Sequence, residues 1–123
     1  VLFSLAALVY KITIGNNDGD RSYEFVYVCE GAPADLLYAV GEGEKCVDAD
    51  AGTELGTVSR VNVEEIQATP SKAKATIATR VKGTALEHGV NVGDSLYLKG
   101  QKIQLIVGGS VFEVYISDIR SDN

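Results

Sequence analysis

Arg21-Ser22-Tyr23-Glu24-Phe25-Val26-Tyr27-Val28-Cys29-Glu30 alternates with a period of two. Tyr23, Phe25, Tyr27 and Cys29 fall on one face, and Glu24, Val26, Val28 and Glu30 on the other. Aromatic and β-branched side chains suit a pleated surface, so the stretch predicts a strand. Both faces are largely apolar, as in a central strand or one covered on both sides. Gly31-Ala32-Pro33 stops it. Ala34-Asp35-Leu36-Leu37-Tyr38-Ala39-Val40 then predicts a short helical turn, begun by Pro33 and ended by Gly41, with Leu36, Leu37 and Val40 capping one end of a barrel.

The same grammar continues downstream. Strands are expected at Glu44 to Asp48 and Glu54 to Ile66, joined by the turn Ala49-Asp50-Ala51-Gly52. Val61 and Val63 share a face but Val58 is out of phase, and a bulge near Ser59-Arg60 restores the pattern. Thr69-Pro70-Ser71 reads as a loop. Lys72 to Lys82 reads as a strand with Ala75, Ile77, Thr79 and Val81 in register, and Gly83 to Val92 as a connection around Leu86 and His88. Val92-Gly93-Asp94-Ser95-Leu96-Tyr97-Leu98 repeats the Val-Gly-polar lead-in of Val40-Gly41-Glu42-Gly43-Glu44-Lys45-Cys46-Val47. Lys102 to Val107 pairs with Val111 to Ile119 across Gly108-Gly109-Ser110, a turn that tolerates positive φ.

These elements predict an all-β fold, a small closed barrel or two-sheet β domain of about seven strands with one short helix. Closure would remove exposed strand edges. The β domain is expected over residues 22–120, a polar linker over 15–21, and an apolar N-terminal helical segment over 1–14.

That segment carries the clearest hint of location. Val1-Leu2-Phe3-Ser4-Leu5-Ala6-Ala7-Leu8-Val9-Tyr10 holds no charge before Lys11 and no polar face at either helical or strand period. As a helix it measures roughly 15 Å, about half a bilayer core, which is what a transmembrane helix cut in its middle would leave. Tyr10 is an aromatic suited to the membrane interface. Three readings stay open for Val1, Leu2, Phe3, Leu5, Leu8, Val9 and Tyr10: part of a membrane anchor, an arm packed between subunits of a polymer, or a buried element of the domain. Type IV pilins use such an arm, but their usual Glu at the fifth position is Leu5 here.

Length and composition fit one folded domain: 123 residues, 46% hydrophobic and 23% charged. The net charge of −6, with scattered basic residues, argues against nucleic acid and against anionic headgroups. Cys29 and Cys46 fit neither a CxxC redox pair nor a zinc knuckle. They read as a disulfide tying neighbouring strands in an oxidising compartment, or as two small buried apolar side chains.

No catalytic constellation emerges. Glu64-Glu65 are neighbours on a strand, so their carboxylates point to opposite faces. His88 reads as an exposed loop residue without a nucleophile partner. Gly41-x-Gly43 and Gly108-Gly109 lack the Lys-Ser/Thr of a phosphate loop and read as turns. Asn16 and Asp18 resemble the start of a calcium loop, but the twelfth positions are Tyr27 and Cys29 rather than Glu. No cofactor and no metal are expected.

The runs Val40-Gly41-Glu42-Gly43-Glu44-Lys45-Cys46-Val47-Asp48 and Gly52-Thr53-Glu54-Leu55-Gly56-Thr57-Val58, with Val92-Gly93-Asp94-Ser95-Leu96-Tyr97-Leu98, resemble a bacterial membrane-anchored family of unknown function. The resemblance covers residues 24–119 and the apolar start. It implies a single N-terminal transmembrane helix followed by a small extracytoplasmic β domain. The motifs are turn and strand punctuation, and the family assigns no activity to any residue. The resulting expectation is a non-enzymatic extracytoplasmic β domain tethered to the membrane, a binding or scaffolding module of the cell envelope. The alternative is a structural subunit of an extracellular filament or surface assembly, a homo-oligomer with the apolar N-terminus buried between like subunits.

Overall fold

The computed structural model of the chain describes residues 21–66 and 71–121. The apolar segment 1–14, the polar residues 15–20, Thr69-Pro70 and the final two residues lie outside these.

The described chain is all-β with one short helix: β1 (Arg21–Pro33), α1 (Ala34–Tyr38), β2 (Lys45–Asp48), β3 (Glu54–Glu65), β4 (Lys72–Leu86), β5 (Gly89–Val92), β6 (Ser95–Tyr97), β7 (Lys102–Val107) and β8 (Ser110–Ser121). The strands form one antiparallel sheet in the order β1-β8-β7-β2-β3-β4-β5-β6, and β1 also pairs with β4. Hydrogen-bonded neighbours therefore run in a circuit, β1-β8-β7-β2-β3-β4 and back to β1, with β5 and β6 extending from the far end of β4.

β1 pairs along both edges and is buried on both faces, in keeping with its two apolar faces. Phe25, Tyr27 and Cys29 point into the main core with Leu55, Ile77 and Leu105. On the other face, Val26 and Val28 are also buried, set between Ala78 and Thr76 of β4 and Asp118 and Tyr115 of β8. Fully burying a Val contributes roughly 1.5–3 kcal/mol, so the second face adds to stability.

Register shifts in the β1–β4, β1–β8, β2–β3 and β3–β4 pairings let the circuit bend, and two of them carry a serine. The register between β3 and β4 shifts between Val58 and Arg60, as expected, and the extra residue Ser59 donates its hydroxyl to the Ala78 carbonyl at 3.2 Å. The β1–β8 register shifts between Val26 and Tyr27, and Ser117 donates to the Val26 carbonyl at 3.2 Å. In each case a serine hydroxyl binds a carbonyl of the partner strand.

Helix α1 starts at Pro33 without a side-chain cap, and its Ala34 amide donates to the Ser71 carbonyl at 2.9 Å. Its Leu37 is buried, as is Val40 just past its end. Leu36, expected to join them, is exposed.

The span Gly83 to Val92 is not a loose connection. β4 continues through it to Leu86, turns at Glu87-His88 and returns as β5, which pairs with β6. Gly83 is a close approach rather than a break, because a Cβ there would overlap the Asn91 carbonyl and the Val90 and Val92 methyls. At the other hairpin, Val107 opposes Ser110 across Gly108 and Gly109, both at positive φ.

Candidate functional site

Both cysteines are free and buried, Cys29 on β1 and Cys46 on β2. Those strands are not neighbours: the circuit runs β1-β8-β7-β2 one way and β1-β4-β3-β2 the other, three pairings each. The two thiols are free and not on neighbouring strands, which fits the reading as two small buried side chains and not the disulfide between neighbouring strands. Burial pushes the Cys46 thiol up to about 12, with the Glu44 charge adding to it. Burial also raises Cys29, helped by Glu113 and Glu30. The thiolate is the nucleophile, so both thiols are held unreactive near neutral pH.

The polar junction that the sequence reading missed lies at the end of β2. Asp48 is buried, and its Oδ1 accepts the Asp50 amide at 3.0 Å and the Ala51 amide at 3.3 Å, an Asx turn that shapes the β2–β3 connection. Its Oδ2 accepts the Tyr97 hydroxyl at 2.7 Å. Thr53 Oγ1 and Ser95 Oγ lie 3.0 Å apart beside this bond. Burial raises the Tyr97 phenol, and its bond to Asp48 raises it further. The Tyr97 ring meets Phe25 edge-on at 6.0 Å, so one side chain ties the β5–β6 hairpin to both the β2 turn and the core. With its acceptor sites on Asp48 engaged, this constellation builds the fold. A turn-type Asp and a strand Tyr are visible in the sequence, but nothing there links residues 49 positions apart.

Deeper in the core, Tyr27 Oη and Thr79 Oγ1 are fully buried without hydrogen-bond geometry to a partner. Burial raises the Tyr27 phenol strongly, and the nearby Thr79 hydroxyl offsets part of that rise.

The remaining candidates are dispersed. Glu64 and Glu65 are exposed at the end of β3, opposite Lys74 and Ala73. His88 sits exposed in the β4–β5 turn, 3.5 Å from Glu87. The Gly41–Gly43 turn is closed by its own chain, with the Gly41 amide on Glu44 Oε1 at 3.0 Å and the Gly43 amide on the Val58 carbonyl at 2.8 Å. Among the described residues, His, Cys, Asp and Glu form no group of three or more suited to a metal ion. On the outer surface Glu24 Oε1 lies 3.3 Å from Arg60 and 3.5 Å from Arg120, and Arg120 binds Asp118 at 2.7 Å. That last bond holds the Asp118 carboxyl below its ordinary value.

Two apolar surfaces stand apart from this charged wall. Leu36, Tyr38 and Val111 are exposed near α1 and the β7–β8 turn, where a shallow groove of about 160 Å³ passes Pro33 and Phe112. At the other end of β1, Leu86, Leu96 and Leu98 are 52%, 45% and 37% exposed on the β4–β5–β6 hairpins. Among the described residues no helix is long and apolar enough to cross a membrane. Comparison with models of protein families, with curated proteins and with solved structures finds no match to the chain.

Proposed function

We propose that the chain is a small closed β-barrel serving as a binding or scaffolding module on the outer side of a membrane, tethered there by its apolar N-terminal segment. The observation that carries this reading is the run Val1 to Tyr10, uncharged and without a polar face, followed by the polar stretch Gly15-Asn16-Asn17-Asp18-Gly19-Asp20 and then β1. The β domain itself already buries Phe25, Tyr27, Leu55 and Ile77 in its core. The hydrogen-bonded circuit of strands supports the barrel, and the turn punctuation at Val40–Val47 and Val92–Leu98 supports kinship with membrane-anchored β domains. A surface of mixed charge, two apolar patches and no converging catalytic side chains among the described residues suits recognition more than chemistry.

The test is the location of the chain in a bacterial cell. The reading predicts that it fractionates with membranes, resists carbonate extraction, and is digested by protease added outside spheroplasts. Recovery in the soluble fraction, or protection from external protease, would overturn it. Regular filaments of purified protein by electron microscopy would favour the assembly arm instead.

A further inference from the structure

We infer that the outward face of the β4–β5–β6 hairpins, carrying Leu86, Leu96 and Leu98, is a lipid-contacting surface that rests on the bilayer holding the N-terminal segment. This inference deepens the tethered reading and rests on it.

Register places the three leucines together. Leu86 opposes Gly89, Asn91 opposes Leu96, and Leu98 follows Leu96 by one strand period. All three therefore share the face opposite Val90, Val92 and Tyr97, which are buried. Gly89 has no side chain between Leu86 and Leu98, and the Leu98 methyl occupies the space a Cβ would need. Tyr97 anchors the platform from behind through Asp48 and Phe25.

The route of the chain selects the occupant. Arg21, the first described residue, is registered with Gly83, three positions before Leu86 on β4. Residues 11–20, between the apolar run and β1, span at most about 35 Å when extended. A bilayer holding Val1 to Tyr10 is thus within reach of this end of the domain. The other apolar surface, around Leu36 and Val111, lies at the far end of β1, roughly 40 Å away for a strand of that length. It faces outward when the leucines face the membrane. Glu87 and Asp94 border the leucine face alongside His88 and Lys99, so the surface fits zwitterionic lipid rather than anionic headgroups.

The chain contains no Trp, so an introduced indole reports alone. Leu96→Trp and, at the far end, Val111→Trp are made separately in the full chain, and circular dichroism checks that both fold. Each is bound to phosphatidylcholine vesicles with and without brominated acyl chains. The expected result is a blue shift and strong bromine quenching for Leu96→Trp, and neither for Val111→Trp. An unquenched Leu96→Trp on protein that still floats with vesicles overturns this inference and leaves the tether standing. Failure of either protein to float removes the tether and the inference together. A Leu96→Trp already blue-shifted without lipid, with a doubled mass in solution, assigns the face to a second copy and overturns the proposal. Equal quenching at both positions also overturns it.

Discussion

Removing the buried bond between Tyr97 and Asp48 should weaken the fold by an amount the geometry fixes in advance. The bond is short, at 2.7 Å, its acceptor is a carboxylate, and both side chains are buried. Charge-assisted hydrogen bonds of this kind contribute about 1.5–3 kcal/mol, so Tyr97→Phe is expected to cost about 2 kcal/mol. Asp48→Ala removes the same bond, strands the Tyr97 hydroxyl, and releases the Asp50 and Ala51 amides. Those amides lie in an exposed turn where water replaces the lost acceptor, so they add only about 0.5 kcal/mol each. The expected total for Asp48→Ala is about 3–4 kcal/mol. The double variant should cost little more than Asp48→Ala alone, giving a coupling of about 2 kcal/mol. Urea denaturation at neutral pH, followed by circular dichroism with a common m-value, measures all three. A coupling below about 0.5 kcal/mol would refute the claim that this bond ties the hairpin to the β2 turn.

Other consequences follow from burial and backbone geometry. Cys46, Cys29, Tyr97 and Tyr27 all have raised pKa values when folded, so the folded state holds their protons more tightly than the unfolded chain. Their stabilisation is complete below the unfolded values, 9.0 for Cys and 10.0 for Tyr, and is lost as pH rises toward the folded ones. Urea titrations should show stability falling between pH 9 and about 12, the range set by Cys46, each group adding a slope of up to about 1.4 kcal/mol per pH unit. Flat stability across that window would contradict the burial of these groups. A thiol reagent at pH 8 should label neither cysteine in native protein and both in denaturant; a single disulfide-linked species would contradict the strand circuit. Gly56→Ala should cost more than about 3 kcal/mol, because φ is +79° and a Cβ would overlap the Arg80 carbonyl. Gly43→Ala, at φ +89° but in open space, should cost only about 1–2 kcal/mol. Equal losses would argue against the tight β3–β4 approach.

The local grammar of the fold was legible because it is written in local residues. The period of two in Tyr23-Glu24-Phe25-Val26-Tyr27 marked β1, Gly108-Gly109 marked a hairpin, and the phase slip at Val58 marked a bulge. Long-range closure was not legible residue by residue, since nothing in Arg21–Pro33 names β4 and β8 as its two partners. Gly83 misled because glycine reads as a break, whereas its role is to let β5 approach. The cysteines stayed open between a disulfide and two small buried side chains for the same long-range reason, since only the circuit sets their strands three pairings apart. Asp48 and Tyr97 each look ordinary alone, and their meaning lies in a bond across the molecule.

Flotation of the purified chain, Val1 to Asn123, on a density gradient with phosphatidylcholine vesicles tests the tethered reading most directly. The account predicts that the chain rises with the vesicles and stays bound in high salt, because the attachment is apolar rather than electrostatic. A folded chain that remains at the bottom of the gradient as a monodisperse species, with or without salt, would contradict it.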